Sequence, residues 1–371
     1  MTLSRRKMLA LVGGGTILAA GGSAGAFIAT RTPHAALEPW TLAGSYGEVR
    51  RDALSFALLA PNPHNRQPWV IDLVGGDTVV LYRDAEKDLP VTDPYGRQLT
   101  IGMGCFIELM EMAAAEMGYG VETVLFPEGE GPDDPVAICR FTEGTGQKDP
   151  LFEHVMERRS HKDAFDPTPV PSDAAAALSG FGTIVTEPKA VRLLGEIASE
   201  AWLIEMSTQD AYMESIDLLR IGKSEINAQP DGIDVGGPMM ETLLLLGLLT
   251  HEAASDPNNP GSQGVIESTN NAILGAPAFV VQTTPGNSRI EQISAGRDWL
   301  RLNLATTALG LAVRPVSQAL QEYPEVAEPY AKIHAAYAPD GGTVQMLGLL
   351  GYGAQPARTP RWKLDTKLRN A

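Results

Sequence analysis

Two long, mostly apolar helical segments in different halves of the chain constrain its fold more than any other feature. Residues 101–118 end at Gly118, residues 298–310 end at Gly310, and each segment is followed by a short strand pattern. Glycine commonly closes helices because it tolerates a left-handed backbone. The other helices and strands do not alternate in regular βαβ order, so the sequence predicts an α+β fold. We interpret the recurring helix and strand as two related modules in one chain.

Two further patterns locate elements within these modules. Residues 69–74 and 78–82 alternate in polarity around Gly75-Gly76-Asp77, which is typical of a β-hairpin. Residues 222–272 are irregular and contain one very apolar helical pattern, at 239–249.

The first 37 residues carry an export signature. They contain four bases and no acid, and Arg5-Arg6 precedes an apolar, glycine-rich stretch at 9–29. A basic region before an apolar one is typical of a signal peptide, and adjacent arginines indicate the twin-arginine route. The sequence therefore predicts a twin-arginine signal or anchor at 1–37, and export of the folded chain by the twin-arginine translocation machinery to the periplasm or cell envelope. The apolar stretch is also long enough to anchor the chain in a membrane.

Charge and cysteine content exclude several classes of protein. The net charge is −16, and the residues after position 37 hold all 45 acids but only 25 of the 29 bases. A body this acidic argues against a nucleic-acid partner and against an anionic membrane surface. Cys105 and Cys139 are too few for a disulfide scaffold or a four-cysteine zinc site, and His251-Glu252 lacks the second histidine of a zinc-protease motif. We predict no metal site.

The loop at 60–69 is the first candidate for a binding site. Its sequence is A-P-N-P-H-N-R-Q-P-W. The prolines restrict the backbone, so the amides of Asn65 and Gln67 are held in place. Amides offer both donors and acceptors, which suits the edge of a planar heterocycle such as a flavin. The alternative is a capped loop between a helix and a strand.

Basic residues form the second and third candidates. The sequence E-R-R-S-H-K-D-A-F at 157–165 places three bases and a hydroxyl at a helix end, where guanidinium groups can bind phosphate. The alternative is a solvated, charged helix end. Arg358 and Arg361 add two cations after a predicted strand near the end of the chain.

These motifs resemble those of the nitroreductase-like FMN flavoproteins. P-N-P-x-N-x-Q-P-W and R-R-S-x-K-x-F are both motifs of that family, and residues 296–318 are similar to its long helix and following loop. The first motif precedes the second here, which resembles the Acg-type branch, in which one chain resembles a fused nitroreductase dimer. The resemblance covers most of 46–365. It implies a nitroreductase-like fold with halves at 38–149 and 150–371, a lid insert at 222–272, and a monomeric pseudo-dimer.

The resemblance also implies an FMN site and the residues that form it. One FMN per chain is expected, because R-R-S has no intact second copy; Val49-Arg50-Arg51-Asp52 is the nearest trace. Backbone N–H groups of the stretch after the long helix would pass flavin N5, and arginines would hold the phosphate. The implied FMN-binding residues are Arg158, Ser160, Lys162, Pro61, Asn62, Pro63, Asn65, Gln67, Pro315, Val316, Ser317, Gln318, Arg358 and Arg361. No side chain is assigned as catalytic.

The function implied is an exported FMN-dependent oxidoreductase. Electrons would pass from flavin N5 to a small-molecule acceptor such as a quinone or nitro compound. A second hypothesis is a flavin-binding or storage protein without turnover, in which the apolar helix at 239–249 closes over the ring. A third is a structural envelope protein on an inactive nitroreductase scaffold.

Overall fold

The computed structural model describes residues 30–370, so the predicted signal and anchor up to residue 29 lie outside the described residues. Within that range, no helix is long and apolar enough to cross a membrane. The helices are α1 His34–Leu37, α2 Pro39–Leu42, α3 Val49–Ala57, α4 Arg97–Glu116, α5 Ser172–Leu178, α6 Pro188–Ser207, α7 Gln209–Asp217, α8 Gly222–Ala228, α9 Pro238–Leu245, α10 His251–Ser255, α11 Pro260–Leu274, α12 Arg289–Ala308 and α13 Ala327–Tyr337. The strands are β1 Trp69–Val74, β2 Thr78–Arg83, β3 Tyr119–Leu125, β4 Ala137–Glu143, β5 Thr183–Val185, β6 Leu219–Ile221, β7 Ile233–Val235, β8 Ala278–Thr284, β9 Ala312–Pro315 and β10 Thr343–Gly351.

Each half of the chain builds one four-stranded antiparallel sheet. The first has the order β1-β2-β4-β3 and the second the order β5-β8-β10-β9. The β1–β2 hairpin closes at Val74 and Thr78, around the predicted turn. Strands β6 and β7 form a separate parallel pair in the second half. The mixture of helices and mainly antiparallel sheets confirms the α+β prediction, and the two sheets correspond to the two modules.

The long helices α4 and α12 cross each other at two glycines. A Cβ atom on Gly104 would lie 2.2 Å from the carbonyl oxygen of Ile293, and one on Gly296 would lie 2.0 Å from that of Ile101. Both helices therefore use the same Ile-x-x-Gly pattern, and the glycine of each meets the isoleucine of the other. This reciprocity is the contact pattern of a two-fold interface, here formed within one chain.

The two halves also share a core, and the end of the chain packs on the first half. One hydrophobic cluster includes Trp69 and Phe106 from the first half and Trp299 from the second. The end of the chain returns to the first sheet, where the N–H of Ile71 donates to the carbonyl of Lys367 at 2.9 Å and the N–H of Arg369 donates to that of Ile71 at 2.9 Å. The predicted boundary at 149/150 separates the sheets but not this segment, and the domain limits stay a prediction.

Residues 34–37, which we assigned to the signal, lie against the body, with Ala36 buried and His34 and Ala35 exposed. They form α1, in which the N–H of Ala36 donates to Asn227 Oδ1 at 3.1 Å and its carbonyl accepts from the N–H of Arg361 at 2.8 Å. Trp40 follows in α2, is buried, and donates from Nε1 to the carbonyl of Thr359 at 2.8 Å. Small and apolar residues that read as the end of a signal therefore serve as packing surface.

Candidate cofactor site

A cavity of about 230 Å³ lies beside the helix crossing and is lined from both halves. Seven of the predicted site residues line it: Pro61, Asn62, Pro63, Ser160, Pro315, Ser317 and Gln318. The sequence reasoning missed its other lining residues, which are His64, Gln98, Ile101, Gly102, Cys105, Trp299 and Met346. The glycine at position 102 was the sequence signal for a close contact between α4 and the loop. A Cβ atom there would lie 3.1 Å from the Cβ atom of Asn62. The glycine lets the loop approach α4 closely.

The cavity lining is electrically neutral at pH 7. Burial lowers the pKa of His64, which favours the uncharged imidazole. Burial also raises the pKa of Cys105 to about 12, so its thiol stays protonated. The rest of the lining is apolar or carries amides and hydroxyls. Such a surface suits an uncharged planar ring.

The loop before β1 holds an unusual backbone next to this cavity. His64, Asn65 and Gln67 have φ values of 46°, 52° and 50°. Non-glycine residues rarely adopt this left-handed conformation, and the surroundings must stabilise it. The N–H of Gln67 donates to Asn62 Oδ1 at 2.7 Å, and Lys367 Nζ donates to the Gln67 carbonyl at 2.8 Å. The returning end of the chain thus helps to fix the loop.

The amides of Asn65 and Gln67 bind other parts of the chain and do not line the cavity. Asn65 Oδ1 accepts from Arg361 Nη1 at 2.5 Å. Gln67 Nε2 donates to the Pro230 carbonyl at 2.6 Å, and its Oε1 accepts from the N–H of Trp362 at 2.9 Å. The structure therefore gives these amides a role in holding the loop, where the sequence predicted a direct contact with a heterocycle.

Three arginines gather near the cavity. Arg158 and Arg361 are each 3% exposed, and both donate to the Leu59 carbonyl, at 2.8 and 3.2 Å. Arg159 lies with its guanidinium carbon 4.6 Å from the centre of the Trp40 ring. We call Arg158, Arg159 and Arg361 the arginine cluster. The cluster lies near the cavity: Arg158 interacts electrostatically with Cys105, which lines the cavity. Leu59 and Arg158 also lie two residues before Pro61 and Ser160, which line it as well.

No member of the arginine cluster lies within 4 Å of a carboxylate among residues 30–370, although Glu157 and Asp234 act at longer range on Arg159 and Arg361. The ion pairs of that range include none of its members. Nη1 of Arg158 and Nε of Arg159 and Arg361 are buried without a hydrogen-bond partner. Burial, reinforced by Arg159, lowers the pKa of Arg158 to about 10, and burial and Arg158 lower that of Arg361 to about 9. Buried cations are normally paired, so this cluster fits a bound anion such as phosphate.

The remaining predicted contacts lie away from the cavity. Lys162 Nζ donates to Asp234 at 2.9 Å. Arg358 is exposed, with its guanidinium carbon 5.3 Å from the centre of the Trp40 ring. Val316 is buried and its N–H donates to the Leu347 carbonyl at 2.9 Å, while Pro315 has no N–H. Only Ser317 and Gln318 can therefore supply the backbone N–H groups expected from 315–318.

The reciprocal contact of α4 and α12 relates the cavity to a second position in the molecule. Ion pairs occupy that second position. When Ile101 and Gly104 are matched to Ile293 and Gly296, Cys105 corresponds to Arg297. Arg297 Nη1 lies 2.6 Å from carboxylates of both Glu108 and Glu111. These carboxylates raise the pKa of Arg297 despite its burial. The two modules have therefore diverged at this point, with a cavity on one side and a paired cation on the other.

The insert at 222–272 meets the site through a short stretch. The N–H of Gly232 donates to the Asn65 carbonyl at 3.2 Å, and Asp231 pairs with Lys87 at 2.6 Å and with Arg220 at 3.2 Å. Helix α9, predicted to close over the ring, contributes no residue to the cavity lining. Within the described part of the chain, no group of three or more potential metal ligands is present.

Glu205 in α6 makes the stability of the protein depend on pH. Its side chain is 1% exposed, its Oε2 has no partner, and burial raises its pKa from 4.5 to about 7. The native state thus favours the protonated form, and the free energy of unfolding falls as pH rises from 4.5 to 7. We expect Glu205→Gln to raise the free energy of unfolding at pH 8 by about 2 kcal/mol more than at pH 5.

Urea denaturation at the two pH values measures this difference. Glu200→Gln is the matched control, because Glu200 lies in the same helix and pairs with Lys332 at the surface. An equal effect of Glu205→Gln at both pH values would show that the native carboxyl is ionised throughout.

The arrangement suits a planar ligand with an anionic tail. A neutral cavity is lined from both halves, and the guanidinium groups of the arginine cluster lie near it with buried nitrogens that have no hydrogen-bond partner. The ring-like part of such a ligand would occupy the cavity and its anionic group the arginine cluster.

The sequence is similar to proteins that are named as nitroreductases. No protein-family model matches the sequence. A protein of Mycobacterium tuberculosis H37Rv named "Putative NAD(P)H nitroreductase Rv3131" is 25% identical over 343 aligned residues, which cover 86% of this chain and 90% of that protein. "Putative NAD(P)H nitroreductase acg" of the same strain is 33% identical over 92 residues, which cover 25% of this chain and 27% of that protein.

Solved structures resemble the chain more distantly. The crystal structure of "a putative nitroreductase from anabaena variabilis atcc 29413" has a TM-score of 0.39 and 11% identity, and the match covers 80% of this chain and 82% of that one. The FMN-dependent nitroreductase NfnB from Mycobacterium smegmatis, in complex with NADPH, has a TM-score of 0.35 and 18% identity, covering 60% of this chain and 98% of that one. Likenesses of this size support no assignment of site residues.

Proposed function

We propose that this chain is an FMN-dependent oxidoreductase of the nitroreductase type, exported by the twin-arginine route to the periplasm or cell envelope. One observation carries the cofactor assignment: buried guanidinium groups without carboxylate partners lie near a neutral cavity lined from both halves. The names of the relatives that align over most of the chain support the reaction class. The predicted Arg5-Arg6 signal supports export.

The residues present fit FMN. The unpaired N–H groups of Arg158, Arg159 and Arg361 would hold its phosphate, and their burial would strengthen these contacts. The neutral cavity would hold the ring between α4 and the stretch at 315–318. Bound FMN would supply the electron or hydride transfer to a quinone or nitro compound. The chain itself would orient the ring and limit the access of water.

Flavin storage without turnover is the second candidate. The stretch at 230–234 favours it, because Pro230 accepts from Gln67, Gly232 donates to Asn65, and Asp234 pairs with Lys162. These contacts fasten the insert against the site loop. A monomer that holds one FMN in this cavity is expected under both candidates, since Arg297 and its carboxylates occupy the related position.

Reduction of the bound flavin by an electron donor distinguishes the oxidoreductase from the storage protein. We expect a membrane quinol to reduce bound FMN faster than NADPH does, because the exported protein would meet little NADPH. The net charge of −16 also disfavours approach of an anionic nucleotide, an effect screened beyond about 8 Å at physiological salt. The measurement is anaerobic stopped-flow absorbance of protein purified in the dark, with a quinol analogue and NADPH compared at low and high salt.

The outcomes of this measurement differ in meaning. Reduction by the quinol followed by reoxidation with a quinone or nitro acceptor supports the oxidoreductase. A flavin spectrum that no donor bleaches supports storage. Fast, saturable reduction by micromolar NADPH contradicts the expected donor, and absence of any flavin spectrum contradicts the cofactor.

A further inference from the structure

Helix α9 and the turn after it expose a set of large apolar side chains. Met239 and Leu245 are each 67% exposed, and Leu246 and Leu248 are each 58% exposed. We call these four residues the apolar face. The only charged residue between 238 and 248 is Glu241, and it is buried. Contiguous exposed apolar surface on a folded protein commonly marks a contact with another molecule or with lipid.

The described part of the chain starts next to this face. Arg31 pairs with Glu241 of α9 at 3.6 Å, and Lys223 Nζ donates to the Thr30 carbonyl at 2.9 Å. The described chain therefore begins beside α9, and the stretch at 9–29 directly precedes it in the sequence. That stretch contains 21 residues without a charge, and about 20 apolar residues suffice to cross a bilayer as a helix.

The packing of the next residues argues that this stretch is retained. Ala36 is buried and bonds to both Asn227 and Arg361. The pairing of Arg31 with Glu241 likewise ties the chain to α9 before that point. Signal cleavage within residues 34–36 would detach Arg31 from the rest of the chain. A retained stretch keeps the contacts of both Arg31 and Ala36.

We propose that the apolar face rests on a lipid bilayer in which residues 9–29 anchor the chain. The proposal rests on the proposed export and places α9 at the membrane interface, with Leu245, Leu246 and Leu248 among the acyl chains. Arg5, Arg6 and Lys7 would stay on the inner side of the membrane, which basic flanks of an apolar span favour. The acidic body would stand on the outer side.

The segment that precedes α9 in the sequence contacts a residue close to the candidate cofactor site. Helix α9 begins at Pro238, four residues after Asp234, and the Asp234 carboxylate accepts from Lys162 Nζ at 2.9 Å. Lys162 lies two residues from Ser160, which lines the cavity. The apolar face is therefore linked to the cavity lining through Asp234 and Lys162.

A fluorescent label on the full chain tests the proposal. Leu246→Cys would carry an environment-sensitive nitrobenzoxadiazole label. The native Cys105 and Cys139 are buried with pKa values raised to about 12, so they do not compete for the label. Leu193→Cys is the matched control, because Leu193 is a 45% exposed leucine of α6. Both chains are reconstituted into phosphatidylcholine vesicles with and without doxyl-labelled phosphatidylcholine.

We expect doxyl lipid to quench the label at 246 at least twofold and to leave the label at 193 unchanged. A blue-shifted label at 246 without doxyl quenching would mean that residues 9–29 or a second copy cover the face, and would overturn the proposal. Emission as in water would overturn it as well. Met239→Cys, at the other end of the face, repeats the measurement if Leu246→Cys does not fold. Flavin is not needed for this readout, so quenching without a flavin spectrum would contradict only the proposed function.

Discussion

Gly296→Val should leave little or no stably folded protein. A Cβ atom at this position would lie 2.0 Å from the Ile101 carbonyl oxygen and 2.9 Å from the Gly104 Cα, and both are backbone atoms of α4. Neither can rotate away, so the two long helices must separate. Separation would open the core between the halves, and we expect a loss above about 4 kcal/mol in the free energy of unfolding.

Soluble yield and urea denaturation measure this loss. Gly264→Val is the matched control, because Gly264 also lies within a helix, α11, and a Cβ there meets nothing within 4 Å. It should change the free energy of unfolding by less than about 1 kcal/mol. A Gly296→Val protein with an unaltered urea midpoint would show that the helices do not cross at these glycines.

The second large effect concerns the arginine cluster. We expect Arg158→Ala to weaken FMN binding roughly ten- to a hundredfold, since a charge-assisted contact contributes about 1.5–3 kcal/mol. Riboflavin lacks the phosphate, so its affinity should change little. The flavin-free protein should lose little stability, because the substitution also removes a buried cation that has no acidic partner in the described chain.

Fluorescence titration with both flavins checks this. Arg51→Ala is the control for the loss of one positive charge, because Arg51 pairs with Asp365 near the surface. Equal losses of FMN and riboflavin affinity in Arg158→Ala would assign Arg158 to holding the Leu59 carbonyl, and not to phosphate binding.

Local patterns predicted many of the elements and half of the cavity lining, but the stretch at 222–272, which we interpreted as irregular, contains α8, α10 and α11 besides the predicted apolar helix. The hairpin around Gly75 and the two long helices follow from residue spacing within single segments, and the proline-rich loop from 61 reaches the cavity as expected. Such signals depend only on residues that are neighbours in the sequence, so they can be recognised without a structure.

Contacts between distant residues were not predictable in the same way. The doublet Arg158-Arg159 was visible, but the burial of Arg158 and the unpaired Nε of Arg159 depend on Trp40, Leu59 and Arg361. The amide of Gln67 looked suited to a heterocycle, yet residues far along the chain occupy it. Which polar groups stay unsatisfied is a property of the folded chain, and sequence spacing does not determine it.

The return of the chain to the first sheet sets the order of events during protein synthesis. The site loop before β1 is made early, but its left-handed backbone is held by Lys367, 300 residues later in the chain, and its Asn65 by Arg361, 296 residues later. A nascent chain that has completed the first sheet therefore still lacks part of the arginine cluster and the fastening of the loop. The loop and the arginine cluster are complete only after residues 361 and 367 have been made, so a ligand that needs both would report that the two halves have folded together.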